Sequence, residues 1–229
     1  MIGNFALSIL AAGLMTLLLA LTSLALATSI GLAAAFAKLS GNGFLSGMAS
    51  GYTFIIRGIP DLVVMLLLFY SLPAMLNQGA EAIGLDIQVE FSPIAAGIAT
   101  LGLIFGAYMT ETFRTALLNI PKGQIEAAVA YGLPRLRIFF AIILPQLARL
   151  ALPGFTNNWL VLAKATALAS IIGLHDVMFR AKAAAEATSM PFTFYLIAAG
   201  FYFSVTLCSM LLLSIVARRT AAGMRELAS

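Results

Sequence analysis

Apolar residues fill this chain in long blocks, and the places where charge interrupts them outline its architecture. Charge-free runs extend from Met1 to Ala37, Leu62 to Ala80, Phe91 to Thr110 and Ala187 to Ala217. Each is close to or longer than the roughly 20 residues a helix needs to cross the hydrocarbon core. A fifth span has to be assembled between Ile138 and Ile172, where Arg149 and Lys164 interrupt the apolar pattern and Pro145 and Pro153 are expected to interrupt the helix. The pattern predicts spans at about 6 to 37, 53 to 77, 92 to 117, 150 to 174 and 192 to 217, in one transmembrane domain covering residues 1 to 229. The segment 119 to 145 stands apart. Pro121 and Gly123 end the third span, Gln124 to Tyr131 reads as a short helix, and Gly132 followed by Pro134 is its stop.

Composition agrees with an all-α integral membrane fold. Hydrophobic residues make up 62% of the 229 residues and charged residues only 10%, with a mean hydropathy of +1.02, far from a soluble domain. No Lys or Arg precedes Lys38, so the N-terminus lacks the basic start of a secretory signal, and the first span is expected to be retained. An odd number of spans puts the termini on opposite sides. Lys38, the segment from Arg114 to Arg137, and the tail with Arg218, Arg219 and Arg225 then share one side, whereas Glu81, Asp86 and Glu90 lie on the other. The positive-inside rule makes the basic side cytoplasmic, with the N-terminus outside and the C-terminus inside. The net charge of +4 follows from this topology and calls for no nucleic acid.

Several kinds of chemistry are missing. Cys208 is the single cysteine and His175 the single histidine, which leaves no disulfide, no metal site and no nucleophile–base pair. No G-x-x-x-x-G-K-[ST] loop occurs, so any ATP must be hydrolysed by another polypeptide and the chain itself is expected not to be an enzyme.

The short helix between spans three and four carries a gapped pattern. Glu126-Ala127-Ala128, Gly132 after three residues, and Ile142-Ile143-Leu144-Pro145 after nine more resemble the EAA signature of bacterial ABC importer permeases. That resemblance implies that Glu126, Ala127, Ala128 and Gly132 belong to a cytoplasmic coupling helix that fits a cleft on an ATPase subunit; the bland alternative is a solvated turn. Further stretches, "RGIPDLVVMLLLFYSLP" from Arg57, "GAYMTETFRTALLNIPKGQIEAA" from Gly106 and "NNWLVLAKATALASIIGL" from Asn157, are similar to the polar amino acid permeases. Among these, the Q-type membrane subunits of histidine/lysine-arginine-ornithine, arginine and opine systems are the nearest in kind. The resemblance implies five spans, a second homologous M-type permease, two ATPases that hold ATP and Mg, a periplasmic binding protein and a place in the bacterial inner membrane. It implies import of a cationic amino acid by alternating access.

Charge inside the spans points to candidate substrate residues, since each such group costs about 2.5 to 3.5 kcal/mol at a helix centre and needs a partner or a cavity. Asp61 opens the second span, Glu111 lies within the third, and Lys164, with Thr166, follows the K-x-T pattern of the family's fourth span. Asp61 and Glu111 suit the positive groups of arginine, lysine, ornithine or histidine. Each has a structural alternative: Asp61 caps its span or pairs with Arg57, Glu111 pairs with Arg114 at i+3, and Lys164 holds an acid. The rival reading from another class is a self-sufficient proton-coupled transporter relaying through Asp61, Glu111 and Lys164, but no internal repeat supports it.

Overall fold

A computed structural model describes residues 2–85 and 88–221. Asp86 and Arg225, used above for orientation, lie outside the described residues. The α-helices among the described residues are α1 (Ile2–Ala11), α2 (Gly13–Leu39), α3 (Gly43–Gly58), α4 (Asp61–Leu66), α5 (Leu72–Ala82), α6 (Pro93–Leu118), α7 (Lys122–Ala130), α8 (Arg135–Ile138), α9 (Leu144–Ala165), α10 (Val177–Thr188) and α11 (Pro191–Ala221). A π turn, Leu67–Ser71, joins α4 to α5, and a second, Phe139–Ile143, joins α8 to α9. A 3-10 stretch, Thr166–Ile172, extends α9. Five resulting stretches are long and apolar enough to cross a membrane: Ile2–Leu39, Asp61–Ala82, Pro93–Leu118, Arg135–Ile172 and Pro191–Arg219.

The third of these, α6, is the axis of the bundle. Leu101, Ile104, Phe105 and Met109 on it are essentially fully buried, and α2 lies along it. Glycine permits the close approach. A Cβ at Gly31 of α2 would stand 2.5 Å from Met109 Cβ and 3.1 Å from the Met109 backbone, so only a residue without a side chain fits there. This is the membrane form of helix packing, in which small residues let backbones meet because apolar burial alone does not distinguish a neighbour helix from lipid. The Tyr52 hydroxyl on α3 donates to the Leu103 carbonyl at 2.6 Å and pins α3 to the same axis.

Two expectations about breaks are corrected. The second span does not run through residue 53; α3 ends at Gly58, Ile59 is extended (φ −110°, ψ 138°), and Asp61 starts a new helix. Proline drives residue 59 out of the helical region because its ring crowds the preceding backbone. The fourth span, by contrast, is not interrupted by Pro145 or Pro153, and is helical from Arg135 through Ile172. The π turn supplies one extra residue just ahead of Pro145 and accommodates its missing N–H, and Pro153 is carried inside the helix. The helix α10 was not expected; it packs with α1 and α11 in a second small core around Ile9, Val177, Ala181 and Phe194.

Candidate functional site

The helix α7 is fastened by few contacts and leaves one face free. Ala128 is buried and Ile125 packs on the main core, while Glu126, Ala127, Val129, Ala130 and Tyr131 are exposed. Gln146 on α9 donates from Nε2 to Gln124 Oε1 at 2.7 Å, holding the two helices together. The end of α7 is a Schellman turn: Leu133 N–H donates to the Ala128 carbonyl at 3.1 Å and Gly132 N–H to the Val129 carbonyl at 2.9 Å, with Gly132 at φ +72°. A side chain at 132 would be strained at that angle, which is why the stop is glycine. Glu126 makes no ion pair among the described residues, so its carboxylate is available to a partner.

Within the bundle, Glu111 is held by two cations. Its Oε1 lies 2.5 Å from Lys38 Nζ and its Oε2 accepts from Arg114 Nε at 2.9 Å. Lys38 also donates to Thr53 Oγ1 at 2.6 Å, so the cluster links α2, α3 and α6. The pair with Arg114 follows from i, i+3 spacing. The pair with Lys38 joins residues 73 positions apart and had no local signal. A cavity of about 950 Å³ opens beside the cluster, lined by Lys38, Thr53, Arg57, Tyr108 and Glu111, with the Arg57 guanidinium 5.2 Å over the Tyr108 ring. Glu111 also lines a second cavity of about 560 Å³ with Thr112, Asn119 and Gly154.

Asp61 stands differently. It is half-buried in the first turn of α4, its carboxylate makes no hydrogen bond or ion pair with a described residue, and Arg57 is turned to Tyr108 instead. Lys164 is exposed on α9, whereas Thr166 is fully buried and donates to the Ala163 carbonyl at 2.8 Å. Of the four residues the sequence suggested for substrate, Glu111 is the one that lines these two cavities; Asp61 is half-buried at the start of α4, Lys164 is exposed, and Thr166 is spent within the core. Sequence reasoning missed Lys38, Thr53 and Tyr108.

This bundle, with a polar helix set between its third and fourth spans, has the architecture of a membrane subunit of an ABC transporter. A solved structure described as an amino acid ABC transporter with histidines superposes with a TM-score of 0.79 at 29% identity, over 95% of this chain and 96% of that one. Residues 27–222 match the family described as binding-protein-dependent transport system inner membrane component, and the chain belongs to that family. It is 45% identical over 226 residues to the histidine/lysine/arginine/ornithine transport system permease protein HisQ of Salmonella typhimurium, covering 99% of each chain. It is 38% identical over 212 residues to the octopine transport system permease protein OccQ of Agrobacterium tumefaciens, covering 93% of this chain and 90% of that one.

Proposed function

We propose that the chain is the permease subunit of an ABC importer that carries polar, cationic amino acids into the cytoplasm by alternating access. The observation that carries this is full-length similarity to a permease for histidine, lysine, arginine and ornithine. Another relative is a permease of an octopine transport system. An unpaired carboxylate, Asp61, at a break in the second span supports a cationic substrate, because a half-buried acid without a partner carries a desolvation cost that an arriving cation offsets. Glu111 already has two cations, so it acts in this reading by holding α2, α3 and α6 in register beside the cavity, and a substrate ammonium gains access to it only by displacing Lys38 or Arg114.

In this reading α7 docks on an ATPase subunit through Glu126, Ala127 and the exposed Val129 and Tyr131, and that ATPase holds the ATP and Mg. A second permease of M type completes the pathway, a periplasmic binding protein delivers the amino acid, and the chain lies in the inner membrane with its N-terminus outside. The ATPase can drive the permease only by binding its two conformations with different affinity, and α7 is the contact at which that difference acts. A proton-coupled transporter working alone finds no support in membership of a binding-protein-dependent family.

The test is reconstitution. Uptake should require ATP and a soluble binding protein, and Glu126→Lys should abolish co-purification of the ATPase or reduce uptake at least about tenfold, a loss of about 1.4 kcal/mol of coupling. Uptake by the chain alone, driven by a proton gradient, would overturn the reading.

A further inference from the structure

At the end of the bundle where α10 packs, four elements bring polar groups to one buried place that the transport reading does not use. Asp176 is fully buried at the N-cap of α10. Its Oδ1 accepts from the Phe179 N–H at 2.8 Å, an ordinary cap, but Oδ2 is buried with no hydrogen-bond partner. The Tyr202 hydroxyl of α11 is a second buried atom without one. It lies close to Asp176, to Thr16 of α2 and to Thr166 of the 3-10 stretch, without a hydrogen bond to any of them.

Tyr202 is the side-chain neighbour of the Asp176 carboxyl, and the two threonines lie against Tyr202. Thr16 donates to the Ala12 carbonyl at 3.4 Å while accepting from the Val177 N–H at 3.2 Å, and Thr166 donates to the Ala163 carbonyl at 2.8 Å. An ionised Asp176 has Tyr202 as its side-chain donor. A neutral Asp176 brings its own proton, which a lone pair of Tyr202 can accept.

We propose that Asp176 is a buried proton-binding site whose proton, bound in the acid range, ties α10 to α11, and whose loss loosens α10. The surroundings agree. Of the titratable and charged groups on the elements packed here, Tyr202 is the one that faces the carboxyl. His175 and Arg180 beside it in sequence are exposed, Lys164 and Tyr195 are exposed, and Lys38, Arg218 and Arg219 sit at far ends of their helices. Burial pushes the Asp176 carboxyl up to about 6, against the opposing pull of the backbone N–H groups at the cap. A raised carboxyl favours the folded state when protonated. Its contribution is therefore complete below the ordinary Asp value of about 3.9 and is lost as pH rises through about 6.

The experiment uses the full chain in lipid nanodiscs with its co-purifying subunits, following amide hydrogen exchange of α10 and the infrared band of protonated carboxyl groups. Protection in α10, corrected for the intrinsic pH dependence of exchange, should fall about tenfold between pH about 5 and about 8, together with the carboxyl band. Asp176→Asn should remove that band and make the protection independent of pH. Tyr202→Phe deletes the donor that an ionised Asp176 relies on, so the transition should persist and move to higher pH. Equal protection at both pH values in the parent, or an unchanged transition in Asp176→Asn, would overturn the proposal. Should the Asn variant fail to assemble, an unmoved midpoint in Tyr202→Phe overturns it as well.

Discussion

The Glu111 cluster and the isolated charges of the spans solve the same problem differently. In the cluster, Lys38, Glu111 and Arg114 neutralise one another within hydrogen-bond distance, and Lys38 keeps only 11% of its side chain exposed. Elsewhere, Asp61 on α4 and Arg149 and Lys164 on α9 each meet no counter-charge among the described residues. Either kind of charge costs about 2.5 to 3.5 kcal/mol if left facing hydrocarbon. The cluster meets that cost inside the chain and so belongs to its architecture. The isolated charges leave it to something outside the chain, a neighbouring subunit, water or cargo, which is where function should be sought.

Substitutions can break this contrast. Glu111→Ala strands Lys38 and Arg114 together and should produce the largest loss of stability, about 2–3 kcal/mol after allowance for the partial exposure of the cluster, read as a lower melting temperature in detergent. Adding Lys38→Met should restore part of it, since the cycle then removes the stranded charge as well. If Glu111→Ala melts like the parent, the pairing does not hold the bundle. Asp61→Asn should not lower the melting temperature and should weaken uptake of cationic relative to neutral amino acids by about tenfold, equivalent to about 1.4 kcal/mol. Equal loss for both substrate classes would deny Asp61 a charge-reading role. Gln146→Ala sharpens the contrast from the other side, because its bond to Gln124 is exposed; a change under about 1 kcal/mol is expected, seen as faster amide exchange in α7 with the spans unaffected.

What the sequence disclosed followed the range of each signal. The end of α7 was legible because Gly132 and Pro134 are local punctuation, and the cap is built from residues within five positions of each other. The partner of Glu111 was half legible: Arg114 lies one turn away, but Lys38 arrives only through the packing of α2 on α6. Pro60 divides α3 from α4 inside a span the apolar pattern predicts as continuous, while Pro145 and Pro153, expected to interrupt the fourth span, leave it helical. The difference is the neighbourhood: residue 59 is free to leave the helix, whereas the chain around Pro145 has an adjoining turn that absorbs the missing donor. Asp176 carries no such signal, because nothing local shows that Tyr202 will lie against it.

The π turn at Phe139–Ile143 also fixes how the two ends of the fourth span are aimed. One residue advances a helix by about 100°, so an extra residue there rotates α8, and with it the α7 contact, by about that angle relative to Arg149 and Lys164. The bearing of the docking helix is thus encoded as a count of residues in one turn. Deleting a single residue there would re-aim it while leaving both helices intact.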